Sequence, residues 1–186
     1  YFISLPSKKL APKIILTIHD LIPLIYPRHY APGVRGKIRF FINRLLIKKN
    51  VDKIITISET SKKDICRFLD IEPSKVSVIY IAPKKSMKKL KPGVWENELN
   101  EKYNLPKQFV LFDHGVNYNK NIPTLIKACR KIKVPLAMVG KETENIGKLD
   151  LNHPELVHLR GVDFSDVIKL GYVSDYDLNK LFNLAT

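Results

Sequence analysis

The chain has 186 residues, 45% of them hydrophobic, and carries 32 Lys and Arg against 18 Asp and Glu for a net charge of +14. That length suits one ordinary domain or two small ones, and the apolar content excludes a disordered polymer. No apolar run approaches the ~18 residues of a membrane-crossing helix, and no charged start, apolar stretch and small-residue cleavage site mark a signal peptide.

In chain order, the β-branched run 14–18 predicts a strand buried on both faces, followed by polar His19 and Asp20 and then by Pro23 and Pro27, which prevent a regular helix. Over 35–50, Ile38, Phe41, Ile42, Leu45 and Leu46 recur at helical spacing, so one helix face is apolar. Residues 53–57 predict a second buried strand, ending at Ser58 and Glu59, and Ser61 with Asp64 matches a capping box for a helix through Leu69. Residues 76–81 predict a third strand. The Lys-, Pro- and Gly-rich stretch that follows reads as a linker over 83–105, with a short helix at 95–103. Strand–helix alternation then resumes. Strands are expected at 109–112, 136–139, 157–159 and 167–170, and a helix at 122–132 with Ile122, Leu125, Ile126, Cys129 and Ile132 on one face. Ser174 and Asp177 match a second capping box. Strands without a polar face alternating with helices mean parallel sheets covered on both sides. The expected fold is α/β, as two doubly wound, Rossmann-like units over 1–82 and 106–186.

Ligands of open parallel sheets bind beyond the carboxyl ends of the strands. That rule selects His19-Asp20, Ser58-Glu59, 113–121, Gly140-Lys141 and 171–175. The corner FDHGVNYNKN, 112–121, is either a solvated loop or an anion site. Gly115 lets backbone approach a ligand closely, and the following helix start offers unpaired N–H groups, with Lys120 adding a cation. GxGxxG, GxxxxGK[ST] and GxSxG are absent, which removes support for dinucleotide, P-loop and α/β-hydrolase chemistry. His19, His29, His114, His153 and His158 lack metal-ligand spacing, so no metal is expected. Cys66 and Cys129, far apart, read as buried thiols in a reducing cytoplasm.

Five segments in order resemble the group 1 glycosyltransferases, a retaining family with two Rossmann-like domains (the GT-B architecture): TIHDLIPLIYP, DKIITISETSKKDI, VSVIYIAP, FVLFDHGVNYNKNIPTLIKA and VIKLGYVSDYDLNKLFNLA. The resemblance implies transfer of a hexose such as mannose from a nucleotide-diphosphate sugar to a glycan or lipid-linked acceptor, with no cofactor or metal. It implies catalytic roles for His19 and Asp20, and a donor site of Gly115, Asn117, Lys120, Asn121, Gly140, Val173 and Ser174. Ser58 and Glu59 would line the cleft. Against the family pattern, His114 stands where glycine is common and Asn119 where arginine is common.

The family's N-terminal Gly-rich loop and its acidic Glu-x(7)-Glu motif fall outside this sequence. The expectation is therefore the middle of such an enzyme, unable to transfer sugar alone and prone to self-association through cut sheet edges. A non-catalytic remnant, or one piece of a split enzyme, is the competing reading. Residues 1–105 carry 21 Lys and Arg against 9 Asp and Glu, +12, whereas 106–186 carry 11 against 9. Without a recognition-helix motif or interleaved aromatics, that charge does not argue for nucleic acid. A cytoplasmic protein touching the inner face of an anionic membrane through 35–50 is one reading of it. The reading favoured is that this helix packs its apolar face on the sheet and shows solvent only its basic residues.

Overall fold

The computed structural model describes residues 11–30 and 33–186, and divides into two compact units, Tyr1–Ala82 and Pro83–Thr186. In the first unit β1 (Ile15–Thr17), β2 (Lys53–Thr56) and β3 (Val76–Val78) form one parallel sheet in that order. Leu16, Ile54 and Val76 stand in register across it. They pack with Ile47, Val51, Ile65 and Leu69 from the crossover helices α2 (Gly33–Asn50) and α3 (Glu59–Leu69). A short α1 (Ile22–Ile25) precedes α2.

Four expectations for this unit are corrected. The strand run at 14–18 is not covered on both faces, because the pleat turns Ile15 outward, where it is 64% exposed. The third strand stops at Val78. The Ile79 N–H still donates to the Thr56 carbonyl (2.8 Å), but β2 ends there and nothing remains to pair with 80 and 81. Helix α3 starts earlier than its expected capping box: Ser58, not Ser61, is the cap, its Oγ accepting from the Ser61 N–H at 3.0 Å.

The largest departure is α2. The side it packs inward carries Asn43, Ile47 and Asn50, while Val34, Ile38, Phe41, Ile42 and Leu45 are all exposed. The expected packing of this apolar face on the sheet does not occur. The helix is held by Ile47 in the core and by Lys48 and Arg44, which pair with Asp70 at 2.5 and 3.7 Å.

In the second unit β4 (Val110–Phe112), β5 (Leu136–Val139) and β6 (Ile168–Gly171) form a second parallel sheet with β5 central. All four residues of β5 are buried. Leu136 and Met138 join Val116, Ile122, Ile126 and Cys129 on one face, the latter three from α5 (Ile122–Ile132). Ala137 and Val139 join Leu99, Phe109, Val173 and Leu181 on the other. Both faces are therefore covered, as the all-apolar run requires. Residues 157–159 form a 3₁₀ turn rather than the expected strand. Local bonds from Leu156 N–H to His153 O (2.8 Å) and from Leu159 N–H to Leu156 O (2.9 Å) consume the groups a ladder would need.

Residues 83–105 lie within this unit. Helix α4 (Trp95–Tyr103) meets the C-terminal α7 (Asp175–Leu184), and the Lys88 and Leu90 N–H groups donate to Asn179 and Asn183 side chains at 2.8 Å. Buried Asp177 accepts from Lys102 Nζ (2.7 Å) and Tyr103 OH (2.9 Å). Burial works against its carboxylate, but the Lys102 and Tyr103 hydrogen bonds outweigh it and hold the carboxyl below its ordinary range. A folded pKa lower than the unfolded one means a contribution fully present above about pH 4 and lost as pH falls further. Urea unfolding read by Trp95, the single tryptophan, is therefore expected to show stability falling between about pH 4 and pH 2. Asp177→Asn should flatten that slope; an unchanged slope would remove Asp177 as its cause.

Candidate functional site

In the first unit, His19 and Asp20 follow β1, while Ser58 and Glu59 follow its neighbour β2, so all four lie at one sheet edge. The buried Thr56 hydroxyl donates to the His19 carbonyl at 3.4 Å and ties the two strand ends together. The exposed Asp20 accepts from the Ile22 N–H at 3.0 Å, which initiates the turn into α1. Ser58 is engaged as a helix cap, and Glu59 sits in the first turn of α3, where its charge complements the helix dipole.

The carboxyl ends of β4, β5 and β6 make the corresponding edge of the second unit. After β4, Asp113 and exposed His114 pair at 3.3 Å. Gly115 follows in a crowded place: an added Cβ would lie 2.9 Å from Asn117 Oδ1 and 3.2 Å from Glu142 Oε2. The next amide, Val116 N–H, donates to Glu142 Oε2 at 3.1 Å. Asn117 donates through Nδ2 to Glu155 at 2.5 Å. Lys120 ends a 3₁₀ turn with an exposed side chain, and Asn121 takes a left-handed φ of 50° to start α5. Asn tolerates that conformation better than most side chains, which explains an asparagine at the junction.

At the end of β5, Gly140 adopts φ 132° and its N–H donates to the Gly171 carbonyl at 2.7 Å. The short α6 (Lys141–Glu144) opens there, with the buried Thr143 hydroxyl bound back to the Gly140 carbonyl at 2.6 Å. A register shift between β5 and β6 leaves Gly171 at φ 64°, with Glu144 Oε2 only 2.8 Å from where a Cβ would stand. Val173 is buried in the core, and Ser174 caps α7 by accepting from the Asp177 N–H at 3.2 Å.

The fold thus joins Gly115 to the segment after Gly140 through Glu142, and Gly140 to the segment leading to Val173 and Ser174 through Gly171. Lys120 follows five positions after Gly115 on the same connection. Sequence reasoning missed Glu142 and Glu144. The signal available was their place directly after Gly140, at the end of a strand already on the shortlist. Among the described residues, no group of three or more His, Cys, Asp or Glu side chains is placed to hold a metal.

Residues 2–82 match the family model for Glycosyltransferase Family 4. Along 99% of its length the chain is similar to the serotype-specific mannosyltransferase WbdA of Escherichia coli, at 27% identity in one form and 26% in another. It spans only 23% of the length of those relatives. Among solved structures, Anabaena Alr3699/HepE in complex with UDP and glucose matches 93% of this chain and 44% of its own, with a TM-score of 0.63 and 17% identity. The same protein in complex with UDP-glucose matches with a TM-score of 0.61 and 18% identity. These two share the fold: parallel α/β units of the glycosyltransferase GT-B type. The first unit matches a glycosyltransferase family model, and nearly the whole chain is similar to the mannosyltransferase WbdA.

Proposed function

We propose that the chain belongs to a retaining, group 1 glycosyltransferase that moves a hexose from a nucleotide-diphosphate sugar to a glycan or lipid-linked acceptor at the cytoplasmic face of a membrane. Mannose is the sugar favoured by the WbdA likeness, and a nucleotide-diphosphate donor by the UDP-glucose complex of the fold neighbour. The observation that carries the reading is the turn after β4: its Val116 amide already holds an anionic oxygen, that of Glu142, beside a glycine and on the same connection as Lys120.

A diphosphate is the substrate group that such N–H donors and a cation would bind, and it gains negative charge as the glycosidic bond breaks. In this reading Gly115, Asn117, Lys120 and Asn121 hold the diphosphate, while Gly140, Val173 and Ser174 border the nucleoside. Val173 does so through its backbone, since its side chain is buried. His19 and Asp20 act at the donor sugar, with Ser58 and Glu59 toward the acceptor. Lys and N–H groups do the charge stabilisation, without a metal or cofactor.

Calorimetry with UDP and GDP tests this. Binding of one of them, weakened about tenfold by Lys120→Ala, is the expected result for loss of a charge-assisted bond at an exposed position. Absence of binding by either nucleotide, or a Lys120→Ala variant that binds unchanged, would remove the assignment. Turnover of a nucleotide sugar by the 186-residue chain would separate the catalytic reading from that of a non-catalytic piece of a split enzyme.

A further inference from the structure

The pair of Asp113 and His114 has no part in the donor site assigned above. His114 stands directly before Gly115 at the carboxyl end of β4, and two contacts hold its ring. Its Nδ1 lies 3.3 Å from Asp113 Oδ1, and the ring is nearly perpendicular to that of Phe112, at 80° with centroids 5.8 Å apart. A carboxylate at Nδ1 decides which ring nitrogen is turned toward it and leaves Nε2 for another partner. Among the described residues Nε2 has no hydrogen-bond partner, and the side chain is 59% exposed. The charge around the turn gives such a group a use. Asp113, Glu142, Glu144 and Glu155 put four carboxylates on the connections that meet there, against the two ammonium groups of Lys120 and Lys141. A diphosphate diester brings one more negative charge on each phosphate. The amides at the start of α5 carry only a partial positive charge, so a further cation is needed to balance the ligand.

Resting on the nucleotide-sugar reading, we propose that His114 is a further donor-binding residue, which takes a proton from solvent as the nucleotide sugar binds and donates from Nε2 to the diphosphate. Histidine is the ordinary side chain whose charge changes between about pH 5 and 8, so it alone can supply a cation on demand there. In its charged form both ring nitrogens donate, Nδ1 toward Asp113 and Nε2 toward a phosphate oxygen. A hydrogen bond between ionised partners is roughly twice as strong as a neutral one. Lys120 supplies a fixed charge further along the same connection, whereas His114 makes donor affinity follow pH. The carboxylates that repel an unprotonated site become neighbours of opposite charge to the imidazolium.

The test is calorimetry of the 186-residue chain with UDP-glucose and GDP-mannose. Their phosphates are diesters, without the second ionisation near pH 6 that a phosphate monoester shows, so the ligand itself does not titrate in the range measured. Binding of one of them about fivefold tighter at about pH 6 than at about pH 8 is expected. Heats taken near pH 7 in phosphate and in Tris, whose ionisation enthalpies differ, should show proton uptake on binding. His114→Gln should bring the affinity at low pH down to that at high pH and abolish the uptake, while His114→Arg should bind tightly at both. The site is exposed, and circular dichroism verifies the fold; if the glutamine variant unfolds, the loss of pH dependence in His114→Arg gives the same answer. Equal affinity at both pH values overturns the proposal. So does a pH dependence that survives in His114→Gln, because it then belongs to another group such as His19 or His158. Lys120→Ala is measured in parallel. If it weakens binding and His114→Gln does not, the nucleotide-sugar reading stands and the role of His114 falls; if neither nucleotide sugar binds at either pH, both fall.

Discussion

Replacing Phe109 with alanine is expected to remove about 3–5 kcal/mol of stability from the second unit, the range for emptying a buried phenyl position. Phe109 has no exposed surface and packs with Leu99, Ala137, Val139, Val173 and Leu181, which come from four separate segments. Its carbonyl also accepts from the Thr186 N–H at 3.0 Å. No single neighbour can collapse into the space, so the cavity term is added to the lost transfer energy. Domains hold only about 5–15 kcal/mol in total, which makes this a large fraction. The measurement is the urea midpoint read by Trp95, which sits in α4 one turn from buried Leu99. Phe109→Leu keeps most of the volume and should lose about 1–1.5 kcal/mol. If alanine cost no more than leucine at this site, Phe109 would not be the centre of that face.

Glu142→Gln is expected to tighten UDP or GDP binding about tenfold, opposite in sign to the effect of Lys120→Ala. The Glu142 carboxylate accepts from the Val116 N–H and stands against Gly115, in the place where the proposed diphosphate would sit. An entering diphosphate must displace it or tolerate a like charge nearby. Two unit charges ~5 Å apart repel by about 2–3 kcal/mol at an effective dielectric of about 20–40. Glu142 is exposed, so solvent screening brings this toward 1.4 kcal/mol, which is about tenfold in affinity. Glutamine keeps the acceptor oxygen and removes only the charge. Calorimetry on the two variants in parallel decides the matter. An unchanged or weaker affinity in Glu142→Gln would show that bound nucleotide never meets this side chain.

Much of the fold was legible because short apolar runs and capping residues act locally. Ile54 and Ile55, Leu136 to Val139, and Ser174 with its capped amide at Asp177 all lie where their side-chain chemistry put them. The position of Gly115, Gly140 and Ser174 at strand ends was legible for the same reason. What escaped depended on partners distant in the chain. Periodicity showed that α2 has an apolar side but not which side the sheet would take, since buried Ile47 and partly buried Phe40 supply its apolar contact with the core. Residues 83–105 looked like a linker because Lys, Pro and Gly dominate it. Apart from Leu99 and its neighbours in α4, their binding groups are backbone N–H donors and a Lys–Asp pair, which leave no apolar pattern. Glu142 escaped because its role comes from a strand crossover that brings it to Val116, 26 positions earlier.

The clasp between α4 and α7 bears on how the protein is made. Lys88, Leu90, Lys102 and Tyr103 bind groups 74–93 positions further along the chain. At a synthesis rate of about 5–20 residues per second, these four residues emerge from the ribosome several seconds before their partners. During that interval Leu99 and Phe109 lack Leu181, their neighbour from the last helix. A translational pause before α7 therefore prolongs a state with an open apolar face, the kind of surface chaperones and proteases select. Synonymous codon changes that speed or slow 104–175 would then alter the yield of folded protein without changing a residue.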